Sequence, residues 1–492
     1  MTVQASRRAV VATTLAGAVA VGSAVSKASA GGRPLPVSND QALHAARRLS
    51  YGATPELVAH LRSVGLAAWL DEQLTTDPDL SATVAAPLTA LPLPALVLSR
   101  EGRDTLGDLK TGTLARAVWG EHQLFELMVE LWTNHLSIRG DAVGPLKVAD
   151  DRTVVRAHAL GTFTDMLVAS CQSPAMLRYL SNEVSVGNDP NENYARELLE
   201  LHTVGPHAGY RARDVHDAAR ALTGLTIDQT TLEFHYNRSW RAVGRVRVLG
   251  WSHANNDPSK GVEVATSLVR YLAGHPATAR RIATKLVRRF VADRPPPALV
   301  ASTAKVYLES GTAIVPTLRH VLLSREFARS AGQKSQRPYE WAAASIRALG
   351  LEQDLTASDP GPILWMLKRL DHAPFEWPRP DGYPDVAPAW ASTQSMLARW
   401  NTAQHLVNGA IGGLKRPDSA ALVGSPAPAT AGALVDHLTR RLLGVPPRSA
   451  MRSALLRSAK LAAGTRLTQA TAEALTPQLA ALILSSPEAM VR

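Results

Sequence analysis

The run Thr54-Pro55-Glu56-Leu57-Val58-Ala59-His60-Leu61-Arg62-Ser63-Val64-Gly65-Leu66-Ala67-Ala68-Trp69-Leu70 begins as helices begin. Threonine suits the N-cap. Proline suits the first turn, where its missing N–H costs nothing, and Glu56 complements the positive end of the helix dipole. Leu57, Leu61, Val64, Ala68 and Leu70 then recur at helical spacing, which predicts one buried face. The same period returns along the chain. Leu114–Leu136 reads as one long helix, and further helices are predicted over 151–170, 191–203, 213–223, 262–274, 276–292, 297–309, 315–330, 338–349 and 393–408. Residues 75–100, rich in Pro and Thr, read as a loop. Only 226–249 breaks the pattern. Thr230–Tyr236 and Val243–Leu249 carry β-branched and aromatic residues, which predicts a short hairpin between them. The fold class expected is therefore mainly α: a large multi-helix domain over 31–410 with a short β-hairpin insertion. A Gly- and Pro-rich linker follows at 411–430, and a C-terminal helical extension at 431–492.

Composition narrows the function classes. The 492 residues hold one cysteine, Cys171, so no intramolecular disulfide forms and no multi-cysteine metal or cluster site exists. The net charge of +11 comes mostly from arginine, with 43 arginines and 10 lysines, and no dense basic stripe marks a nucleic-acid surface. Ser6-Arg7-Arg8, the apolar stretch Ala9–Val25, Lys27 and Ala28-Ser29-Ala30 form a charged region, a weakly hydrophobic region and a small-residue cleavage site. This predicts a twin-arginine signal peptide over 1–30 and export to the extracellular space, cell wall or periplasm. Cleavage would remove three cations and no acid, leaving +8, and no transmembrane segment is expected in the mature protein.

The most chemical stretch is Asn191-Glu192-Asn193-Tyr194-Ala195-Arg196-Glu197-Leu198-Leu199-Glu200-Leu201-His202. On a helix Asn193, Arg196, Glu197 and Glu200 share one polar arc. One reading is a solvated stripe of salt bridges. The other is a half-buried carboxylate pair, Glu197 and Glu200, clamped by Arg196, able to bind a metal or to act as acid and base. Asn134-His135 follows Trp132 near a helix end, where His135 serves as ligand, proton shuttle or complement to the dipole. His253, in Trp251-Ser252-His253-Ala254-Asn255-Asn256-Asp257, and Arg220 complete the candidates. The metal-ligating set read from the sequence is His135, Glu197, Glu200 and His253, with a divalent metal left open as cofactor. Residues 374–385 read as a rigid aromatic loop that walls a pocket or packs as a lid. Nucleophile-elbow, phosphate-loop, zincin and dinucleotide signatures are absent from the sequence.

Several segments together resemble a bacterial exported family, domain of unknown function 1800. They are Arg47-Arg48-Leu49-Ser50-Tyr51-Gly52-Ala53-Thr54-Pro55, Gly65–Leu70, Leu131-Trp132-Thr133-Asn134-His135, Asn191–Leu201, Asp214-Val215 to Gly224 and Val248-Leu249-Gly250. The others are His275-Pro276-Ala277-Thr278-Ala279, Phe290-Val291-Ala292-Asp293 and Asp381-Gly382-Tyr383-Pro384-Asp385. The resemblance spans roughly 40–410. It implies a helical exported protein and a sulfatase-like exported partner encoded nearby, but no reaction. Many members carry a histidine before the Leu-Gly motif. Here that stretch is Asn237-Arg238-Ser239-Trp240, leaving His235 as the neighbouring imidazole. Two functions stay open: an enzyme with a His/Glu/Arg centre, or a non-catalytic helical scaffold that binds the sulfatase-like partner or a cell-wall polymer.

Overall fold

The computed structural model describes residues 40–74, 105–353 and 361–492. The expected signal at 1–30 and the loop at 75–100 lie outside them.

Helices account for most of the chain, and the two-stranded elements are small. Helix α1 (Gln41–Leu49) is capped by Asp40, whose carboxylate accepts from Ala42 and Leu43. Helix α2 (Pro55–Leu74) starts at the predicted proline, but Gly65 (φ 80°, ψ 160°) breaks it into two segments. The kink is what lets Leu61 and, beyond it, Trp69 and Leu70 all reach the core. The long helix predicted over 114–136 is also two helices, α3 (Thr105–Trp119) and α4 (Gln123–His135). The buried side chain of Gln123 stitches the corner between them. Its amide donates to Ala117 O and Gly120 O, and its Oε1 accepts from Tyr51 N.

Other boundaries move for similar reasons. Residues 151–156 form a π-helical turn, and α5 (Phe163–Cys171) restarts at Thr162, whose hydroxyl accepts from Asp165 N. Helix α6 (Glu192–Glu197) runs directly into a second π turn, Leu198–His202. Helix α7 (Ala212–Leu222) precedes the strands.

The insertion is two hairpins, not one. β1 (Leu225–Ile227) pairs antiparallel with β2 (Phe234–Tyr236), and β3 (Val246–Val248) with β4 (Trp251–His253). Leu249 and Gly250 connect β3 to β4 with φ of 48° and 93°. Two successive positive φ values make the tight turn whose twist suits a hairpin. A local turn therefore claims β3 before β2 can.

Helices α8 (Gly261–Ala273), α9 (Pro276–Phe290), α10 (Pro297–Glu309) and α11 (Ile314–Leu322) follow as an all-helical run. The helix predicted over 315–330 stops at Leu322, and Ser324 caps a separate short turn, Arg325–Ala328. Helix α12 (Pro338–Leu349) is central, with ten of its residues buried. Helix α13 (Thr393–Val407) and the C-terminal α14 (Ala431–Leu443), α15 (Ser449–Ser458) and α16 (Gln469–Leu484) complete the chain. One apolar cluster runs from Leu43 to Met490. The C-terminal helices share it: the indoles of Trp341 and Trp400 donate to Leu484 O (3.0 Å) and Ser485 O (3.2 Å). No helix among the described residues is long and apolar enough to cross a membrane.

Candidate functional site

The 191–202 stretch folds as a short helix ending in a π turn because Asn191 caps it, accepting from Asn193 N at 2.8 Å. Tyr194, Ala195, Leu198 and Leu199 are buried, which leaves Glu197 and Glu200 half-buried on the opposite side. Arg196 does not clamp these two carboxylates. Its guanidinium pairs with Glu192 at 3.2 Å, on the exposed face, because that partner lies one helical turn back. Asn193 donates to Leu180 O and holds the helix entry. Burial, then the neighbouring Glu200, raise the Glu197 carboxyl above its usual range. Glu200 receives a long contact from the Tyr210 hydroxyl, 3.5 Å.

His135 lies behind this surface, buried among aromatic rings. Its Nε2 donates to His202 O at 2.9 Å, and its Nδ1 meets no partner. Burial and the positive charges of Lys285 and Arg281 hold it well below the ordinary histidine range, so it is neutral. His202 is pushed down to about 3 by the same causes, and neither of its ring nitrogens has a hydrogen-bond partner.

The remaining candidates serve local structure. His253 Nδ1 accepts from Asn255 N (2.9 Å), and its ring stacks on Trp251. Arg220 pairs with Asp217 and donates to the carbonyls of Val243, Gly244 and Arg245. Asn134 donates to Glu130 (2.6 Å to Oε1) and accepts from Tyr383 N (3.2 Å). Among the described residues no group of three or more His, Cys, Asp or Glu side chains is placed to hold a metal ion. His135, Glu197, Glu200 and His253 are thus not gathered into one ligand set. The first is committed to a carbonyl in the core, and the last to its own turn.

What the tertiary fold does bring to the Leu198–His202 turn, and so to Glu200, is the polar face of α9. Arg281 donates from Nε to Leu201 O at 3.1 Å, across 80 residues of sequence. Lys285, one turn on, is half-buried and makes no hydrogen bond or ion pair with any described residue. Burial, then Arg281 and Arg288, lower its ammonium to about 7, and Asp385 and Asp381 oppose that shift only in part. Asp381 adds its charge to the field at Glu197 as well. Glu200 thus lies near enough to oppose the lowering of the Arg281 guanidinium, yet no ion pair closes between Glu200 or Glu197 and Arg281 or Lys285. Sequence reading missed Lys285 because a lysine on an amphipathic helix carries no local mark of burial. The only sign was its place, i+4 from Arg281 and i−3 from Arg288.

Beneath lies a buried charge network. Glu340 meets Arg289, Arg337 (2.8 Å) and Arg492 (3.0 Å), and Glu130 meets Arg289 (3.0 Å) and Arg337 (2.5 Å). Lys334 lies between Asp293 (2.7 Å) and Asp385 (3.0 Å). Arg48 donates to the backbone oxygens of Phe290, Val291, Ser330 and Arg492. Arg48, Asn134, Asp293 and Asp385 come from four of the motif segments quoted above. Those motifs meet in this network and in the loop it anchors.

A family model described as Protein of unknown function (DUF1800) matches residues 44–491. No curated protein and no solved structure matches the chain.

Proposed function

The chain belongs to the DUF1800 family of proteins of unknown function, and from that premise we propose an exported enzyme that works by acid–base chemistry where the turn after α6 meets α9. Glu197, which keeps its proton to higher pH than a free carboxyl, is the donor. Lys285, lowered to about 7, supplies a neutral amine as acceptor near neutral pH. Glu200 and Arg281 set the field around the reacting groups, and Arg196, tied to Glu192, moderates Glu197 from outside. His135 holds the His202 turn in place and touches no reacting group. The observation that carries this reading is Lys285: a half-buried ammonium with no partner among the described residues, one turn along α9 from Arg281, which holds Leu201 O and feels the charge of Glu200. Buried structural charges in this molecule are closed into ion pairs, as Glu340 and Lys334 are, or held by backbone oxygens, as Arg48 is. An unpaired one is costly for folding and is retained where reactivity needs it.

That cost makes a test that needs no substrate. Lys285→Met keeps the stem's packing and removes the charge, so it is expected to stabilise the fold by about 1 kcal/mol near pH 7. The partial solvent exposure of Lys285 limits the gain. Because the folded ammonium titrates at about 7 and a free lysine near 10.4, the unfolded chain binds the extra proton between those values. Wild-type stability relative to Lys285→Met therefore rises with pH, and the gap is widest at or below pH 7 and closes toward pH 10. Thermal melts at pH 7 and pH 10 measure it. A lower melting temperature for Lys285→Met at pH 7 would show the lysine to be structural. It would favour the competing reading, a non-catalytic scaffold for a sulfatase-like exported partner or a wall polymer, which draws support from the closed ion pairs of the core.

We also propose export by the twin-arginine route, supported by Arg7-Arg8, the weakly apolar segment after them and the single cysteine. Changing both arginines to lysine is expected to leave the precursor in the cytoplasm. Undiminished export of that variant, followed by immunoblotting of cell fractions, would remove the route.

A further inference from the structure

Arg281, Lys285 and Arg288 stand at i, i+4 and i+7 on α9 and so share one face. None of the three has an ion-pair partner among the described residues. Arg281 spends only its Nε, on Leu201 O, and Arg288 its Nε on Asp293 O at 3.4 Å. Lys285 spends nothing. The contrast with Arg289 is internal to the same helix, since Arg289 turns inward and is closed against Glu340 and Glu130.

The surroundings keep the face open. At Gly205 (φ 86°) a Cβ would stand 3.1 Å from Arg281 Nη1, so the absence of a side chain there leaves the guanidinium edge uncovered. Of the nearby carboxylates, Glu200 acts on Arg281 without closing an ion pair, and two others are engaged elsewhere. Asp385 is held by Lys334, and Asp381 accepts from the Trp377 indole at 2.7 Å and pairs with Arg379 at 3.2 Å. His202, next to the Leu201 that Arg281 holds, is 1% exposed and has two partnerless ring nitrogens. Three cations gathered on a half-buried face without a counter-ion repel one another, and a bound anion removes that repulsion.

We propose that the Arg281–Lys285–Arg288 face is a subsite for a tetrahedral oxyanion carried by the substrate, a phosphoryl or sulfuryl group. Two guanidinium forks offer donors in several directions, and the anion's charge returns Lys285, the proton acceptor of the free site, to its ammonium form, which suits a ligand with oxygens on all sides. This inference rests on the enzyme reading for its purpose. Lys285 is common to both readings, so Arg288→Gln tests the subsite apart from the proton acceptor, and Glu197→Gln tests the proton donor apart from the subsite.

The experiment is calorimetric titration of the full chain with inorganic phosphate and, separately, inorganic sulfate, against chloride at matched ionic strength. Wild type is expected to bind at least one of the two. Lys285→Met and Arg288→Gln are each expected to weaken binding about tenfold or more, as loss of a charge-assisted hydrogen bond does. Glu197→Gln is expected to bind as wild type does. Phosphate alone would identify a phosphoryl substrate, sulfate alone a sulfuryl one, and both the tetrahedral class. No binding of either anion, or equal binding in wild type and both α9 variants, overturns the proposal. Loss of binding in Glu197→Gln would overturn the separation of the two sites.

Discussion

Glu340→Gln is expected to lower unfolding free energy by about 3–5 kcal/mol, the cost of breaking a buried ion pair from one side. Glu340 is 1% exposed and serves three guanidinium groups, Arg289, Arg337 and Arg492. Its carboxylate also accepts from the Arg337 backbone N–H at 2.8 Å, at the start of α12. Burial alone would raise this carboxyl, but the three arginines outweigh it and hold it well below the ordinary range. A lowered carboxyl contributes stability above its unfolded value, near 4.3, and loses it as pH falls toward the folded value. The gap between wild type and Glu340→Gln is thus expected to be full at pH 7 and to narrow progressively below pH 4. Urea unfolding at pH 7 and pH 3.5 measures both. An unchanged midpoint at pH 7 would mean that Glu130 alone compensates the arginines.

Gly382→Ala is the second large effect. Gly382 has φ 74°, and a Cβ there would stand 2.0 Å from the backbone oxygen of Asn134. Backbone atoms cannot swing aside as a side chain can, so loop and helix end must separate. The left-handed strain and the overpacking together are expected to cost about 3 kcal/mol or more. The displacement would also break the bond from Tyr383 N to Asn134 and move Asp381 and Asp385, the acidic side of the Lys285 field. Two readouts are expected to change together: a lower urea midpoint, and altered fluorescence from Trp377, whose indole donates to Asp381. Wild-type values for both would show that the Asn134 contact does not position this loop.

The sequence pattern located most helices, because capping and amphipathic spacing are local properties. Thr54-Pro55-Glu56 and Asn191 mark where the chain turns into helix, whereas the cap at Ser324 fell inside a helix expected to run through 315–330. What the pattern misjudged were interruptions. Gly65 and Gly120 look tolerable within apolar periodicity, but Gly65 takes φ 80° and the buried Gln123 holds the Gly120 carbonyl at the corner. The hairpin insertion is present as expected, with a different pairing. Its strands were recognisable by composition, but the pairing depended on the positive φ of Leu249 and Gly250.

The candidate site divides along the same line. The polar arc of α6 was legible, and Glu197 and Glu200 do stand half-buried on it. Their partners were not, since Arg196 had two glutamates within helical reach and only the burial of one side of α6 directs it to Glu192.

By itself, then, the sequence determined the helical class, the single thiol that excludes a disulfide, the membership carried by its motifs, and the two carboxylates of the 191–202 stretch. The tertiary structure alone decided that α9, about 80 residues further along, sets Arg281 against the Leu201 carbonyl and Glu200. It decided too that Arg289, on the same helix, is closed into ion pairs while Lys285 is left without one. Residue type sets what a side chain can do, but its protonation and reactivity depend on burial and on charges that arrive from distant segments. Neither exists until the chain has folded.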